Sequence, residues 1–476
     1  MAAEKKALFS RYLSDHLKKL QQCAAALLML AIGCPVLAQG NLAESGAIES
    51  TSKLGGTYGV VGTSEGIEIG GFTRALSSGT LEINAASATF SLETRVAKMN
   101  LIEVCDVKPR NPDACNRLFV RTRGAAHTSY EGSYQVSADA SVLFDAISKT
   151  FRGFVNPQGT VIMIPVNDAA GVTLLFAIKK GKHLSPRLVD GQYAFSARAA
   201  AYPEKVESNH GKWESYTSEI RQGSISIADL KFTGQAHGSL MTSETACKES
   251  TSGCNVFASL SAASAPSINS SGDVLFSRRG LLRFDITNTD ADDNDEQDLH
   301  GFVTDDGDFA ALLEDGTEAG RQGLELMTRV GQGMSSATVS GAYNAAALEE
   351  FFESEGSIRN AFVSGPIAFD GAQAWQFTGT DSSTKRAECQ RGGVCPSAGL
   401  SSRTVAGGAG GKYSVKPSGE IVVSGIAGDN TPRLFVGNVS QDGSVIVLRR
   451  VGDNDPCSFD CVGVESFRSI IIAIRR

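Results

Sequence analysis

One short pattern occurs three times along the chain, and it constrains the fold more than any other feature. Each copy reads Gly-x-Val-x-x-x-Gly and is followed by an apolar run, at Gly153–Gly159, Gly301–Gly307 and Gly437–Gly443. Glycine accepts the positive φ of a tight turn, which costs energy in a residue with a Cβ atom. The spacing therefore predicts the same β-hairpin in three places, and a chain built from three copies of one β unit.

Further landmarks recur in the same order in each copy. Each copy opens on Gly-x-Tyr and ends on a strand with basic residues at its end. The opening tyrosines are Tyr58, Tyr193 and Tyr343, and the closing strands run over 174–180, 324–329 and 470–476. A cysteine pair lies mid-copy, and a second Gly-x-Tyr follows it in copies one and three, at Tyr134 and Tyr413. Copy two has Pro266-Ser267-Ile268 at the aligned place.

These landmarks predict three tandem repeats, over residues 54–190, 191–340 and 341–476. Within a repeat, β-branched runs such as Val161–Ile164 are bounded by Gly, Asp, Asn and Ser, which is typical of strands joined by tight turns. The predicted fold class is all-β: three tandem antiparallel meander repeats, each an up-and-down barrel-like module of about eight strands. Because the two halves of a repeat share Gly-x-Tyr, a single β-propeller of about six blades is the alternative. Residues 345–354 have local helix propensity and are expected to form a loop excursion.

The first 38 residues have the order of a secretory signal peptide. A basic stretch is followed by apolar residues Ala24–Ile32 and then by Val36-Leu37-Ala38, so cleavage is expected after Ala38. An uncleaved anchor is one alternative, although the apolar run is short for a bilayer. Lipidation at Cys34 is another, because glycine precedes that cysteine as in bacterial lipoprotein signals. Residues 39–53 are expected to form a flexible leader.

Cysteine usage also indicates export. Outside the signal there are eight cysteines in four close pairs: Cys105 with Cys115, Cys247 with Cys254, Cys389 with Cys395, and Cys457 with Cys461. An even number paired locally predicts four disulfides in an oxidising compartment. Zinc is the competing interpretation, but the chain has no Cys-x-x-Cys and only six histidines.

Composition excludes one class of partner. The formal charge of −8 leaves no basic field for nucleic acid. One acidic stretch has oxygen-bearing side chains at alternate positions, which can converge on a hard cation such as calcium. Its candidate ligands are Asp290, Asp292, Asn294 and Asp298. An EF-hand proper is excluded, because Asp295 and Gly301 stand at the sixth and twelfth positions, and a solvated acidic loop is the simpler interpretation.

Two other features have both a catalytic or binding interpretation and a structural one. Gly62-Thr63-Ser64-Glu65-Gly66 fits the Gly-x-Ser-x-Gly nucleophile elbow. No α/β pattern surrounds it, so a hairpin turn is favoured over a catalytic serine. The opening tyrosines could line a ligand cavity, but such residues more often fill the floor of a barrel.

The opening Gly-x-Tyr on the first of several meandering strands resembles the Gly-x-Trp of lipocalin and avidin type barrels. The whole pattern also resembles large uncharacterised exported bacterial proteins built of such repeats. This resemblance implies a construction and an exported location, and no ligand or catalytic residue is carried over from it.

No catalytic constellation is visible in the sequence, so a non-enzymatic exported protein of the cell envelope or extracellular space is predicted. Its repeats would act as a scaffold, adhesive or binding surface, periplasmic or extracellular, with membrane association only through Cys34 or an uncleaved signal. The predicted partner is an unidentified protein, glycan or small apolar ligand, with no cofactor except calcium at the acidic stretch. Lipocalin-like binding of a small apolar ligand is the first alternative, and a hydrolase whose site is assembled from distant loops is the second.

Overall fold

The computed structural model describes residues 54–68, 71–105, 117–168, 171–201, 212–248, 255–288, 297–316, 321–353, 358–377, 380–385, 399–404, 409–426, 432–450 and 464–476. These residues form three closed eight-stranded antiparallel barrels in tandem, as predicted. The predicted signal peptide and leader lie outside the described residues.

The strands of barrel 1 are β1 Gly56–Glu68, β2 Gly71–Asn84, β3 Thr89–Cys105, β4 Arg117–Val136, β5 Ser141–Ala146, β6 Thr150–Val155, β7 Val161–Asp168 and β8 Gly171–Lys179. Those of barrel 2 are β9 Gly191–Ala201, β10 Lys212–Ala228, β11 Lys231–Lys248, β12 Asn255–Phe276, β13 Leu281–Asn288, β14 Gln297–Val303, β15 Phe309–Gly316 and β16 Arg321–Arg329. Those of barrel 3 are β17 Gly341–Glu353, β18 Ile358–Phe369, β19 Ala374–Phe377, β20 Thr380–Lys385, β21 Gly399–Thr404, β22 Ala409–Val415, β23 Glu420–Ile426, β24 Pro432–Val439, β25 Val445–Arg450 and β26 Val464–Arg475. Single 3₁₀ turns, Pro186–Val189 and Ser336–Val339, precede barrels 2 and 3.

Each barrel closes because its first strand pairs with its last. Tyr58 on β1 is opposite Lys179 on β8, Tyr193 on β9 is opposite Arg329 on β16, and Tyr343 on β17 is opposite Arg475 on β26. In barrel 3, β19 and β20 together occupy one strand place beside β18, and their partners β22 and β21 together occupy the next, so the ten strands fill eight places. Closure within each repeat excludes the propeller, in which these strands would pair elsewhere.

The repeated Gly-x-Val-x-x-x-Gly is a hairpin in all three barrels, as predicted. The second glycine has φ of +70°, +77° and +70° at Gly159, Gly307 and Gly443, and its amide donates to the carbonyl three residues earlier at 2.8–3.0 Å. A polar side chain at the start of the turn accepts from the amide that begins the next strand: the Val161 amide donates to the Asn156 Oδ1 atom at 3.0 Å. Each turn is therefore held by both its backbone and a side chain.

Two sequence predictions about the segment 345–354 and the alignment of copy two were wrong. The segment 345–354 is not a helical excursion, since residues up to Glu353 belong to β17, where pairing on both sides overrides local helix propensity. The second Gly-x-Tyr of copy two was also misaligned. The residue paired with Phe144 is Tyr134, and the residue paired with Phe284 is Val274. The equivalent triplet of copy two is therefore Gly272-Asp273-Val274, while Pro266 lies at a β-bulge earlier in β12.

Each barrel has a packed interior, and the outer faces of all three barrels share a fourth core. The interior clusters are built around Tyr58, Tyr193 and Tyr343. The shared core includes Phe176 from barrel 1, Phe309 from barrel 2 and Ile472 from barrel 3. Strands β7, β8, β15, β16, β17, β25 and β26 bury both faces, which explains why they read as nearly continuous apolar runs.

The contacts between barrels follow a cyclic order. Strand β1 packs against β14 and β15 of barrel 2, β9 packs against β24 and β25 of barrel 3, and β26 packs against β6 of barrel 1. Polar contacts join the same three pairs: Gln322 donates to the carbonyl of Ala97 at 3.2 Å, Arg449 donates to the Gln222 Oε1 atom, and Asn344 donates to the carbonyl of Asp139 at 2.9 Å. The three barrels therefore form one closed ring within the chain.

Candidate functional site

The opening tyrosine and the repeated hairpin meet at one end of each barrel, which we call the tyrosine end. The phenol hydroxyl donates to the carbonyl of the turn glycine in all three barrels, from Tyr58 to Gly159 at 2.9 Å, Tyr193 to Gly307 at 3.1 Å, and Tyr343 to Gly443 at 2.7 Å. We call this contact the tyrosine clasp. It joins the first strand of each barrel to the turn between its sixth and seventh strand positions, more than 90 residues away in the sequence.

In barrels 2 and 3 the basic residue of the closing strand completes the clasp. Arg329 donates to the hydroxyl of Tyr193 at 2.9 Å, and Arg475 donates to that of Tyr343 at 2.8 Å. Each guanidinium also lies over the tyrosine ring, 5.2 and 5.3 Å from its centroid, a favourable cation–π arrangement. Burial raises the pKa of Tyr193 and of Tyr343 to about 12, and the arginine only partly offsets this. The phenols therefore stay protonated at neutral pH and serve as structural donors that fill the floor of the barrel.

The interior of barrel 2 contains a buried layer of charged side chains, towards the end opposite the tyrosine end. We call Glu219, Arg221, Glu314, Arg321 and Glu325 the charged layer. Arg221 and Arg321 each bind Glu314, Arg321 also binds Glu219, and the Arg221 Nε atom lies 3.6 Å from Glu219. Strands β10, β15 and β16 supply these side chains from neighbouring places in the wall.

The charged layer perturbs its own members in opposite directions. Burial alone would raise the pKa of Glu314, but Arg221 and Arg321 outweigh it and hold that pKa below its usual value. The pKa of Glu325 is instead raised to about 7, mainly by burial, with Arg221 opposing and Glu314 reinforcing the shift. The side chain of Glu325 is 4 % exposed, and its Oε1 atom has no hydrogen-bond partner. Glu325 is therefore a buried carboxyl group with a raised pKa and an unpartnered oxygen atom.

A second buried ionic group lies between the barrels. Glu65 of barrel 1 is 3.3 Å from Arg74 and 2.7 Å from Arg198 of barrel 2, which in turn is 3.5 Å from Glu350 of barrel 3. All four side chains are at most 5 % exposed. Each pair is a buried salt bridge, so this axial ion group ties the positions of the three barrels to one another.

The site residues predicted from sequence are not brought together by the described structure. Cys115, Cys254, Cys389, Cys395, Cys457 and Cys461, with Asp290, Asp292 and Asn294, lie outside the described residues. Cys105 ends β3, Cys247 lies near the end of β11, and Asp298 lies near the start of β14. Their side chains are outside the described set as well, so the disulfides and the calcium site stay predictions. Among the described side chains, no group of three or more His, Cys, Asp or Glu is placed to hold a metal ion.

The Gly-x-Ser-x-Gly segment is part of a strand and not the hairpin turn expected from the sequence. Gly62 to Gly66 pair with β2 on one side, and Gly62 to Glu65 pair with β8 on the other. The Ser64 hydroxyl bonds the Thr173 hydroxyl at 2.8 Å inside the wall of barrel 1. A serine in the middle of a doubly paired strand has no sharp strand-to-helix turn to present it to a substrate.

The described grooves lie apart from the charged layer. One groove of ≈ 990 Å³ runs along barrel 1 beside Glu82, Phe90, Glu131 and Ile147. A smaller one of ≈ 400 Å³ lies beside Gln192, Ser226 and Asn269 of barrel 2. Both are open grooves, whereas the interior clusters of the three barrels are packed with side chains.

Comparisons with known proteins leave the family open. No protein-family model matches the chain, and no curated protein matches it. A Trp-176-Ala mutant of transferrin binding protein B from Haemophilus parasuis is 9 % identical, with 66 % of this chain and 83 % of that chain covered and a TM-score of 0.17. The ferric yersiniabactin uptake receptor FyuA from Yersinia pestis is 10 % identical, with 88 % and 79 % covered and a TM-score of 0.16. Likeness at these scores supports no inference about fold or function.

The charged layer was missed from the sequence although a signal for it exists. The register of the closing strands places Glu325, Leu175 and Ile471 at one equivalent position, four residues before the basic residue opposite the opening tyrosine. A charged residue aligned with leucine and isoleucine is a departure that the repeat alignment could have shown.

No described helix is long and apolar enough to span a membrane.

Proposed function

We propose that the protein is a non-enzymatic exported protein of the cell envelope or extracellular space, in which three fused barrels form a rigid scaffold that presents a binding or adhesive surface. The observation that carries this proposal is the packing: each interior is filled by its own apolar cluster, and a fourth cluster locks the barrels together. A filled interior weighs against the alternative of a small apolar ligand held inside a barrel.

The place where a partner would bind is suggested by the long hairpins. Strand β4 pairs with β3 from Arg117 to Ser133, but with β5 from Gly132 to Val136. The β3–β4 hairpin therefore continues beyond the short strands β5 and β6. Residues 124–127 are exposed one after another, so both faces of the strand meet solvent there. A projecting hairpin on a rigid base suits recognition, because its surface can change without disturbing a core.

The test compares the full chain with a variant in which residues 103–119 are replaced by an Asn-Gly turn joining Ile102 to Val120, which are paired in the sheet, so that buried Met99 and the pairing of β3 with β2 are kept. Both proteins are applied to glycan and extracellular-matrix protein arrays, and their melting temperatures are measured. We expect the wild type to bind at least one class and the shortened variant to lose that binding at an unchanged melting temperature.

Three outcomes would contradict the proposal. Binding that survives shortening would place the surface elsewhere, and stoichiometric binding of the apolar probe N-phenylnaphthylamine would favour the ligand-binding alternative. Turnover on a panel of ester, peptide and glycoside substrates would favour the hydrolase. Export is checked separately by the mass of the secreted chain, which should begin at Gln39.

A further inference from the structure

The charged layer of barrel 2 differs from the side chains at the equivalent positions of the other two barrels. In the common register, Glu325 is equivalent to Leu175 of barrel 1 and Ile471 of barrel 3. Arg221, opposite Ala197, is equivalent to Ser77, which is opposite Gly62. The remaining equivalences in barrel 1 are Ala75 for Glu219 and Val166 for Glu314. Barrel 1 therefore has no ionisable group at these positions, whereas barrel 3 has Ile471 at the position of Glu325 and Arg450 at that of Glu314.

Glu325 faces charged groups from two neighbouring elements and from its own strand. Strand β10 contributes Arg221 and Glu219, β15 contributes Glu314, and β16 itself contributes Arg321.

On the other strands of barrel 2, the buried side chains that the structure describes in the interior are uncharged. They are Ala197 and Ala199 on β9, Phe232 on β11, Val274 on β12, Phe284 and Ile286 on β13, and Leu299 on β14. His237 is exposed and bonds Gln222. Arg221 is thus the cation that Glu325 shares with Glu314 and Glu219.

We propose that the protonation state of Glu325 controls how tightly β10 is held in barrel 2, and we call this side chain the catch. The protonated carboxyl leaves Arg221 bound to Glu314 and Glu219. The ionised carboxylate draws Arg221 away and loosens β10 from β15 and β16. The proton leaves Oε1 or Oε2 of Glu325 for solvent, and no covalent bond between heavy atoms changes. The catch lies in barrel 2 alone, because Leu175 and Ile471 cannot titrate.

The direction of the response follows from the folded and unfolded states of the carboxyl. Its pKa is raised from the ordinary 4.5 to about 7 in the folded barrel. The folded state therefore keeps the proton between these values while the opened state loses it. Stability from the bound proton is fully present below about pH 4.5 and is lost as pH rises through 7. Between pH 6 and pH 8 the opening constant of barrel 2 should rise about tenfold.

The test is hydrogen–deuterium exchange of the full chain at pH 6 and pH 8, corrected for intrinsic exchange rates. Peptides from 217–222 on β10 are compared with the equivalent peptides of barrels 1 and 3, around Ser77 and Val363. We expect about a tenfold loss of protection at pH 8 in barrel 2 and none in the other two. Equal losses of protection in all three barrels, or no loss in barrel 2, would overturn the proposal. Measurements on the wild-type protein are sufficient for this test.

Two substitutions and one control assign the effect. Glu325→Gln and Glu325→Leu should each abolish the pH response of β10, and the leucine variant reproduces the residue found in barrel 1. Asp308 is the matched control because its pKa is raised to about 6, chiefly by burial, at the tyrosine end of the same barrel. Asp308→Asn should leave the response of β10 unchanged. A response that persists in Glu325→Gln, or disappears in Asp308→Asn, would contradict the assignment to Glu325.

Discussion

The axial ion group supports a prediction whose size can be worked out from the structure. Arg198 lies between two carboxylates from other barrels, 2.7 Å from Glu65 and 3.5 Å from Glu350. Removing one partner from a buried ion pair costs about 3–5 kcal/mol, because a charge is left buried without compensation. Glu65 keeps Arg74 at 3.3 Å, so we expect Arg198→Leu to lower the free energy of unfolding by about 3 kcal/mol.

Leucine is the informative replacement because it is the natural residue at the equivalent position of barrel 3, Leu348. Its shape therefore fits this part of the wall, and the loss reports charge more than packing. The matched control is Lys231→Met, which breaks a pair of 3.4 Å with Asp273 whose members are 79 % and 65 % exposed. Such an exposed pair contributes within about 0.5 kcal/mol.

The assay is guanidinium chloride unfolding, followed by far-ultraviolet circular dichroism and by fluorescence, which includes buried Trp375. Because the barrels share a core, both probes should report one transition in the wild type. If Arg198→Leu loses no more stability than Lys231→Met, the axial ion group does not couple the barrels. The physical argument would then be wrong.

Three further predictions follow from the clasps, the charged layer and the cysteines. Tyr343→Phe should cost about 1–3 kcal/mol and Tyr58→Phe about 1 kcal/mol in unfolding free energy, since Tyr343 accepts a hydrogen bond from Arg475 and Tyr58 accepts none from the equivalent residue, which is a lysine. Equal losses would show that the arginine adds nothing to the clasp. Wild type should lose about 1.4 kcal/mol more than Glu325→Leu between pH 6 and pH 8 by chemical denaturation, and parallel stability curves would contradict the raised pKa. The secreted chain should take up alkylating reagent at eight cysteines only after reduction, whereas eight free thiols by intact mass would exclude the four predicted disulfides.

Much of the fold could be predicted from the sequence because its determinants are local. The turn glycines, the opening tyrosines and the closing strands stand at fixed distances within each repeat. Even so, the sequence showed the hairpin and the tyrosine as separate landmarks. The structure joins them, since the Tyr343 hydroxyl reaches the Gly443 carbonyl, 100 residues away.

The candidate site could not be predicted in the same way, because its members are distant in sequence and meet only through the sheet register. Glu219 and Arg321 bind each other across 102 residues, and no spacing rule joins them. The helix propensity of 345–354 was misleading because the pairing of β17 with β18 and β26 lies outside any local window. Alignment of copy two failed because Val274 stands where copies one and three have Tyr134 and Tyr413, so the second Gly-x-Tyr is absent from that copy.

The three barrels contact one another in a ring, and this arrangement limits which residues can lie where all three barrels meet. Glu65 and Glu350 are equivalent positions, and barrel 2 has Ala200 there, beside Arg198. Three separate identical subunits would have to place the same residue at this point three times, and three glutamates would repel one another. One polypeptide that folds into three barrels can place an arginine from one barrel against a glutamate from each of the others. Each barrel also meets its neighbours at an effective concentration set by the chain and not by dilution.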